Sequence, residues 1–254
     1  MDDEFDSPLT FNRKWLSFPS FHILMEPTPT TETVRGITEF IEAAVHTILY
    51  VRQIYPAELF VRRKKFNTPV FQSRHPTLNE YISEAVKAVG DELENGNVDK
   101  VVVVIKDKDD GPLERFVFAV ENMIQVEAFN KDTSVEGAMT PAVLGQYFRS
   151  FLVKLCMIET QLGHLCLGDD VTFAIVLELQ DNKAPSVSHG KEPPPWVPCT
   201  APHTTTGAKK QAELHLLRAV ETGVINLSFA VQESEQKLMM AGRESDVKGK
   251  QRAK

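Results

Sequence analysis

The stretch from residue 37 to residue 82 constrains the fold most, because it places two helix patterns on either side of a basic hairpin. In its first half, apolar side chains recur at the three- and four-residue spacing of a helix that packs on a core. They are Ile37, Phe40, Ile41, Ala44, Val45, Ile48 and Leu49, and Ile54 extends the stripe. Pro56 restricts Tyr55 to extended geometry, so we expect the helix to end at Tyr55 and the chain to enter the hairpin.

The remaining patterns predict two more helices and three long strands. The helices are expected at about 76–93 and from 141 onward, each with proline in its first turn, and the strands at 101–105, 113–120 and 171–179. Asp110, Gly111 and Pro112 supply the turn between the first two strands, which should form an antiparallel hairpin. Together these elements predict an α+β domain in which three helices pack on a mainly antiparallel sheet.

The character of the chain changes between residues 180 and 211, where Asp, Asn, Lys, Pro, Ser, Gly and Thr dominate around an isolated Trp196. So long an irregular stretch inside a compact domain is either a disordered linker or a functional mobile loop. Two further strands are predicted after it, at 214–217 and 224–231. Strands that return after a long loop must pair with an edge of the sheet, which suggests a movable C-terminal segment.

Composition excludes several classes of protein. A formal net charge of -7 argues against a general nucleic-acid binder, since affinity for the phosphate backbone comes from lysine and arginine. Two local basic patches remain, Arg62 to Lys65 and the tail residues Lys248, Lys250, Arg252 and Lys254. The first patch is either a solvated hairpin tip or a DNA contact, and the second is either a frayed terminus or an import signal.

The cysteines and the hydropathy pattern bear on the compartment. No apolar run approaches the ~18 residues that a membrane helix needs, and the acidic N-terminal residues do not resemble a signal peptide. Cys156, Cys166 and Cys199 cannot all pair with one another and show no CxxC spacing. We therefore expect a soluble protein with free thiols, in a reducing compartment.

The sequence contains no convincing active site. Glu42 and His46 stand four residues apart on the first helix, where an exposed ion pair is commoner than a catalytic pair. His164 and Cys166 lie near Cys156 without the second ligand pair of a zinc site, and no glycine-rich phosphate loop is found. These observations favour a binding protein without catalytic residues, cofactor or metal.

One family matches a series of short motifs. The ordered series AVH-ILYVR-IYP, RRKKFN-PV, HP-LN-YI and VDKVVVVIKDK resembles the HORMA-domain accessory subunit of the translesion DNA polymerase zeta. The resemblance covers about residues 34–180 well and 195–232 weakly. It implies a flexible extension over 1–33, a HORMA domain over 34–234 and a flexible basic tail over 235–254. Within the domain, the core would span 34–180 and a mobile "safety belt" about 181–234.

The resemblance also implies a function. The belt would wrap across an extended, proline-containing peptide of the polymerase catalytic subunit, and the peptide would add a strand to the sheet. The protein would then be a nuclear adaptor in translesion synthesis and DNA damage tolerance. In the family, a tyrosine of the second helix and a tryptophan of the belt grip the peptide. They match Tyr81 and Trp196 here, although Tyr81 also fits a core position and Trp196 a linker.

Two other family surfaces have counterparts here. Family members pair with themselves or with other HORMA proteins through an arginine of the third helix, which matches Arg149, a residue that would otherwise be ordinary helix surface. Members that bind the scaffold polymerase Rev-one use a leucine, a glutamine and a tyrosine. The matching positions are Leu214, Ser228 and Ala230, where only the leucine is retained. Either that contact has drifted or the alignment is shifted.

Two alternatives remain open. The chain resembles other HORMA adaptors as well, such as the spindle-checkpoint relative that traps a different peptide, although YPAELF followed by RRKKFN favours the polymerase subunit. A direct DNA binder that uses Arg62 to Lys65 is the other reading. It would require a DNA affinity that depends strongly on salt.

Overall fold

The computed structural model describes residues 31–122, 141–163, 165, 171–181, 183–186, 196–205, 213–221 and 225–239. The helices in these ranges are α1 (Thr31–Val51), α2 (Pro76–Glu94), α3 (Pro141–Cys156) and α4 (Glu159–Leu162), and residues 235–239 are also helical. The strands are β1 (Phe60–Lys65), β2 (Thr68–Ser73), β3 (Val98–Asp107), β4 (Pro112–Asn122), β5 (Val171–Leu179), β6 (Glu213–Glu221) and β7 (Ile225–Glu233). The predicted α+β class is confirmed.

The main sheet has five strands in the order β5-β3-β4-β7-β6, and every neighbouring pair is antiparallel. β1 and β2 form a separate two-stranded hairpin. The chain therefore leaves the sheet at β5, on one edge, and returns to it as β6, on the opposite edge. Residues 180–212 connect the two edges.

α1 is the centre of the helical layer, where it packs against α2, α3 and β2. Alternate residues of β3, Val101, Val103 and Ile105, face this layer and are fully buried. Phe40 of α1 stacks on Phe148 of α3 with ring centroids 4.6 Å apart. The opposite face of the sheet carries a second, smaller apolar cluster, made of Val102, Val104, Val117 and Val176.

α1 differs from the predicted helix at both ends. It begins at Thr31, inside the stretch that the resemblance assigns to a flexible extension, and it ends at Val51 rather than at Tyr55. Gln53 adopts a positive φ of 53°, and the N–H of Ile54 donates to the carbonyl of Leu49. The left-handed conformation of Gln53 ends the helix ahead of Pro56, because the backbone turns there and N–H groups beyond the turn bond the last helical carbonyls.

The environment of His46 also differs from the one expected from the sequence. It does not form an exposed pair with Glu42, because it is 2% exposed and its Nδ1 lies 3.5 Å from the backbone N of Ser73. Its Nε2 is buried without a partner among the described residues. Burial in this apolar site lowers the pKa of His46 to about 4.

The residues that follow β7 are held by buried charges. Lys237 lies 2.5 Å from a carboxylate oxygen of Glu114 in β4, bonds the Glu233 carboxylate of β7, and donates to the carbonyl of Leu162 at 2.9 Å. His215 of β6 lies 2.8 Å from Glu233. These contacts hold Lys237, which lies at the start of the stretch that the resemblance assigns to a flexible tail, against β4 and β7.

Candidate functional site

β5 is an edge strand of the main sheet. It pairs with β3 from Val98↔Leu179 to Asp107↔Val171, and no described strand lies on its other side. Backbone N–H and C=O groups along such an edge can pair with an added extended chain. The candidate site is built around this edge.

The start of α2 is fixed against the end of β2, and this positions Tyr81. The ring Nδ1 of His75 accepts from the N–H of Leu78 at 3.4 Å, which caps the helix. Ser73 accepts from the N–H of His75 at 3.0 Å, and its carbonyl accepts from the amide of Asn79 at 3.0 Å. Tyr81 therefore projects from a rigid first turn and a half of helix.

Three aromatic rings meet beside the free edge. Phe173 of β5 lies edge-on to Tyr81, with centroids 5.7 Å apart, and edge-on to Tyr55, at 6.4 Å. Tyr81 is 44% exposed, so it does not occupy a core position. Together with Leu59 and Leu78, the three rings bound a shallow cleft of about 370 Å³.

The Tyr55 phenol in this cluster stays protonated at neutral pH. Burial raises the pKa of Tyr55, and the nearby Tyr81 adds to that rise because two phenolates would repel each other. Neutral tyrosines can pack an apolar ring face against a ligand and donate an O–H to a carbonyl. The cleft therefore suits an uncharged extended segment.

After β5 the chain first lies against the end of α2. The N–H of Gln180 donates to the carbonyl of Asn97 at 2.8 Å. Ser186 donates from its backbone N–H at 2.6 Å and from its hydroxyl at 2.7 Å to one carboxylate oxygen of Glu92. The other oxygen of Glu92 accepts from the amide of Asn97 at 2.9 Å.

The chain then lies across the face of the sheet opposite the helices. Arg115 donates to the carbonyl of Pro202, and both the N–H and the hydroxyl of Thr205 bond the Glu178 carboxylate. The ring Nε2 of His203 lies 2.9 Å from the carbonyl oxygen of Asp110 and 3.3 Å from its carboxylate. We call residues 200–205 the strap. In chain order, the contacts of the strap run from Arg115 of β4, at Pro202, to Glu178 of β5, at Thr205.

Trp196 lies just before the strap and packs, half buried, against the main core. Its indole Nε1 is buried, and no acceptor for it is found in the described part of the chain. No described ring contact joins Trp196 to Tyr81. The structure thus brings Tyr81 together with Tyr55 and Phe173, neither of which the sequence singled out. The sequence signal for Tyr55 and Phe173 is weak, because single aromatic residues next to a proline or within a strand are common.

Leu214, Ser228 and Ala230 lie on one face of the sheet, the face that carries the strap. The register pairs Ala230 with Leu216 on one side and with Val117 on the other, and Ser228 with Ala119. Leu214 and Leu216 are 63% and 66% exposed, whereas Ala230 is buried. Leu214 and Leu216 together form an exposed apolar patch beside Ala230. The alternation of Leu214, His215 and Leu216 is the sequence signal that marks it.

Arg149 is exposed on α3. Residues four apart on a helix share a face, so Arg149 lies in line with Val153 and Met157, which are 42% and 59% exposed. Burial raises the pKa of the neighbouring Cys156 thiol, which is free, as is Cys199. This exposed face of α3 mixes a cation with apolar side chains.

Within the described ranges, no group of three or more His, Cys, Asp and Glu side chains has the arrangement of a metal site. His164 and Cys166, considered as ligands from the sequence, lie outside those ranges. None of the described helices is long and apolar enough to cross a membrane.

Comparison with known proteins points to one family. Residues 34–223 match the HORMA domain model. The chain is 37% identical over 147 residues to the "Mitotic spindle assembly checkpoint protein MAD2B" of Rattus norvegicus, a match that covers 57% of this chain and 64% of that protein. It is 35% identical over 145 residues to the "DNA polymerase zeta processivity subunit" of Schizosaccharomyces pombe, covering 56% of this chain and 67% of that protein.

The fold agrees with this comparison. A chain in the "Crystal Structure of Mitotic Checkpoint Complex" matches with a TM-score of 0.61 and 21% identity, and the match covers 80% of this chain and 98% of that chain. The HORMA fold expected from the motif series is therefore confirmed. The match to the rat relative extends over 64% of that protein's length.

Proposed function

Because this chain belongs to the HORMA-domain family and is related to a polymerase zeta processivity subunit, we propose that it is a non-catalytic subunit of that polymerase. In this proposal it holds an extended, proline-containing peptide of the catalytic subunit along the free edge of β5. The free edge beside the Tyr81 and Phe173 rings, with Ser186 held at α2 and the strap on the opposite face of the sheet, is the observation that carries the proposal.

Main-chain hydrogen bonds to β5 would supply affinity for any extended segment, and side-chain contacts would supply selectivity. Proline suits the aromatic cleft, because its ring packs on tyrosine and it needs no N–H partner. The described residues supply no acceptor for the indole N–H of Trp196, which supports a ligand carbonyl nearby, since a buried donor without an acceptor costs free energy.

We further propose that residues from about 181 to 234 act as the safety belt. Ser186 is held by Glu92 of α2, the strap lies on the opposite face of the sheet, and the chain returns as β6 at the far edge, so a peptide on β5 would be enclosed by covalently continuous chain. Release would require these contacts to open, and affinity would then appear mainly as a slow dissociation rate.

The experiment is a binding measurement with the purified full chain and overlapping peptides that cover the cognate catalytic subunit. Calorimetry should find one proline-containing segment that binds, and surface plasmon resonance should give it a longer dissociation half-time than its proline-to-alanine version. If no segment binds while circular dichroism shows a folded protein, the polymerase assignment is wrong. Peptides from spindle-checkpoint proteins form the second arm, because one relative carries a checkpoint name.

Two further surfaces belong to this proposal. Arg149 on α3 would support self-association or pairing with another HORMA protein. The patch around Leu214, Ser228 and Ala230 would contact the scaffold polymerase Rev-one, with Leu216 in addition. The protein would work in the nucleus, in translesion synthesis and DNA damage tolerance, and it would meet DNA through the polymerase.

A further inference from the structure

The β1–β2 hairpin presents four consecutive cations that the proposed function does not use. Arg62, Arg63, Lys64 and Lys65 are all exposed. In the described part of the chain, the one ion pair found for them joins Lys65 to Glu39 of α1, at 3.3 Å. A concentration of exposed like charge on one ribbon attracts an acidic partner.

An apolar cleft lies directly beside these cations. Arg62 pairs in register with Phe71, so the two side chains share a face of the hairpin, and both line a cleft of about 1140 Å³ that reaches the end of α3. Tyr50 stacks on Phe71 with centroids 3.5 Å apart, and Val153 and Met157 line the far side. Glu159 also lines the cleft. The surface thus combines an apolar floor with one cation and one anion of its own, Arg62 and Glu159, next to the other hairpin cations.

We propose that the occupant of this surface is the chain's own segment of residues 2–6, Asp-Asp-Glu-Phe-Asp. Its four carboxylates flank Phe5, so it offers anions to the hairpin cations and an aromatic ring to the apolar floor of the cleft. This cleft shares Tyr55 with the aromatic cleft beside β5, whereas Arg62, Phe71, Val153 and Met157 line this cleft alone.

The length of chain between the segment and α1 allows the contact. α1 begins at Thr31, and Tyr50 in the cleft lies nineteen positions further, about 28 Å along the helix axis at 1.5 Å per residue. Residues 7–30 connect Asp6 to α1 and reach roughly 80 Å when fully extended. A tether that can span the distance makes docking intramolecular, and this raises the effective concentration of the segment.

Docking would make the N-terminal segment a built-in competitor for the hairpin. Any added acidic peptide or nucleic acid would have to displace it. The contact would also weaken with salt, because exposed charges are screened over about 8 Å at physiological ionic strength. An overall negative chain with a basic hairpin would then show little affinity for external anions.

The test uses the full chain and a fluorescent peptide that carries residues 1–12. In one variant the four acids are neutralised as Asp2→Asn, Asp3→Asn, Glu4→Gln and Asp6→Asn. This variant should bind the added peptide about tenfold or more tightly than the unmodified chain, since the tethered competitor is lost. Adding Arg63→Gln and Lys64→Gln should abolish that gain.

The matched control makes the same change in charge elsewhere, at four exposed acids: Glu84→Gln, Asp91→Asn, Glu94→Gln and Asp109→Asn. It should bind the peptide as weakly as the unmodified chain does. Equal peptide affinity in the unmodified and N-terminally neutralised chains would overturn the proposal. Failure of both to bind, with folded protein, would overturn it as well.

A carbodiimide cross-link in the unmodified chain gives an independent reading. Mass spectrometry should find the segment joined to Lys64 or Lys65 within the monomer, and the yield should fall severalfold in high salt. Links found only in covalent dimers would mean that the occupant is a second copy. If a single-stranded oligonucleotide bound the unmodified and the neutralised chains equally, the hairpin would be an open nucleic-acid surface. Either result would refute the intramolecular contact.

Discussion

Arg52 at the end of α1 and Glu114 in β4 form a two-pronged ion pair inside the protein. Nε and Nη2 of Arg52 lie 2.9 and 2.6 Å from the two carboxylate oxygens, and the side chains are 1% and 0% exposed. The remaining arginine nitrogen, Nη1, donates to the carbonyl of Gly163 at 2.8 Å. Because Lys237 and Glu233 join the same cluster, the C-terminal residues are tied to the first helix through β4.

Replacing Arg52 should destabilise the fold strongly. Arg52→Leu leaves Glu114 buried with one cation instead of two, and breaking a buried pair costs about 3–5 kcal/mol. Urea unfolding measures the change. The control is Arg35→Leu, which removes the exposed pair with Glu39 and should cost less than about 1 kcal/mol. If the two variants lost the same free energy of unfolding, the buried Arg52–Glu114 pair would contribute no more stability than the exposed Arg35–Glu39 pair.

Trp196→Ala should weaken peptide binding by about 2 kcal/mol or more, because buried tryptophans anchor interfaces. The dissociation rate should rise by a similar factor while the core stays folded. Val197→Ala, next along the chain and 78% exposed, is the matched control. Unchanged affinity and dissociation rate in the Trp196 variant would identify that segment as a linker.

Arg149→Ala should weaken self-association or pairing with another HORMA protein and leave peptide affinity intact. Arginine can anchor an interface through several directed hydrogen bonds that alanine cannot make. Sedimentation of peptide-saturated protein measures the association constant. Lys154→Ala removes a cation from a different side of α3 and should have no effect. If peptide affinity fell instead, the assignment of these helix surfaces would be incorrect.

His46 should make stability fall with acid. Its folded-state pKa of about 4 lies below the ordinary 6.5, so the unfolded chain takes up this proton first. The stability that neutral, buried His46 contributes is fully present above pH 6.5 and is lost as the pH falls toward 4. The total loss is on the order of 3 kcal/mol. In urea unfolding measured at a series of pH values, His46→Leu should reduce the pH dependence of the free energy of unfolding between pH 6.5 and 4. An unchanged slope would mean that His46 is protonated when folded.

The sequence predicts the elements well where a single physical rule decides them. The stripe of α1, the proline starts of α2 and α3, and the unbroken run in β3 each follow from periodicity or capping. The end of α1 was missed because a positive φ at Gln53 carries no signal in a residue that prefers other conformations. His46 was misread because helical spacing does not say which neighbour covers a polar residue.

The candidate site is harder to predict for a similar reason. A family resemblance indicates Tyr81 and Trp196, but the ring that Tyr81 contacts belongs to Phe173, which also contacts Tyr55 and lies far from both in sequence. The buried charges of Arg52, Glu114 and Lys237 also join distant positions. Such sets depend on tertiary contact, which local patterns cannot encode.

The strand order has a consequence for how partners are exchanged. β7 pairs with β4 over nine residues, from Glu114↔Glu233 to Asn122↔Ile225, and lies between β4 and β6. In the proposed binding mode, a ligand beneath the connection between β5 and β6 would be held by topology as well as by contacts. If folded regions flanked it on both sides, it would leave only when that ladder opened. The bound partner would then be the one present when the connection last closed, and a rise in competitor concentration alone would not replace it.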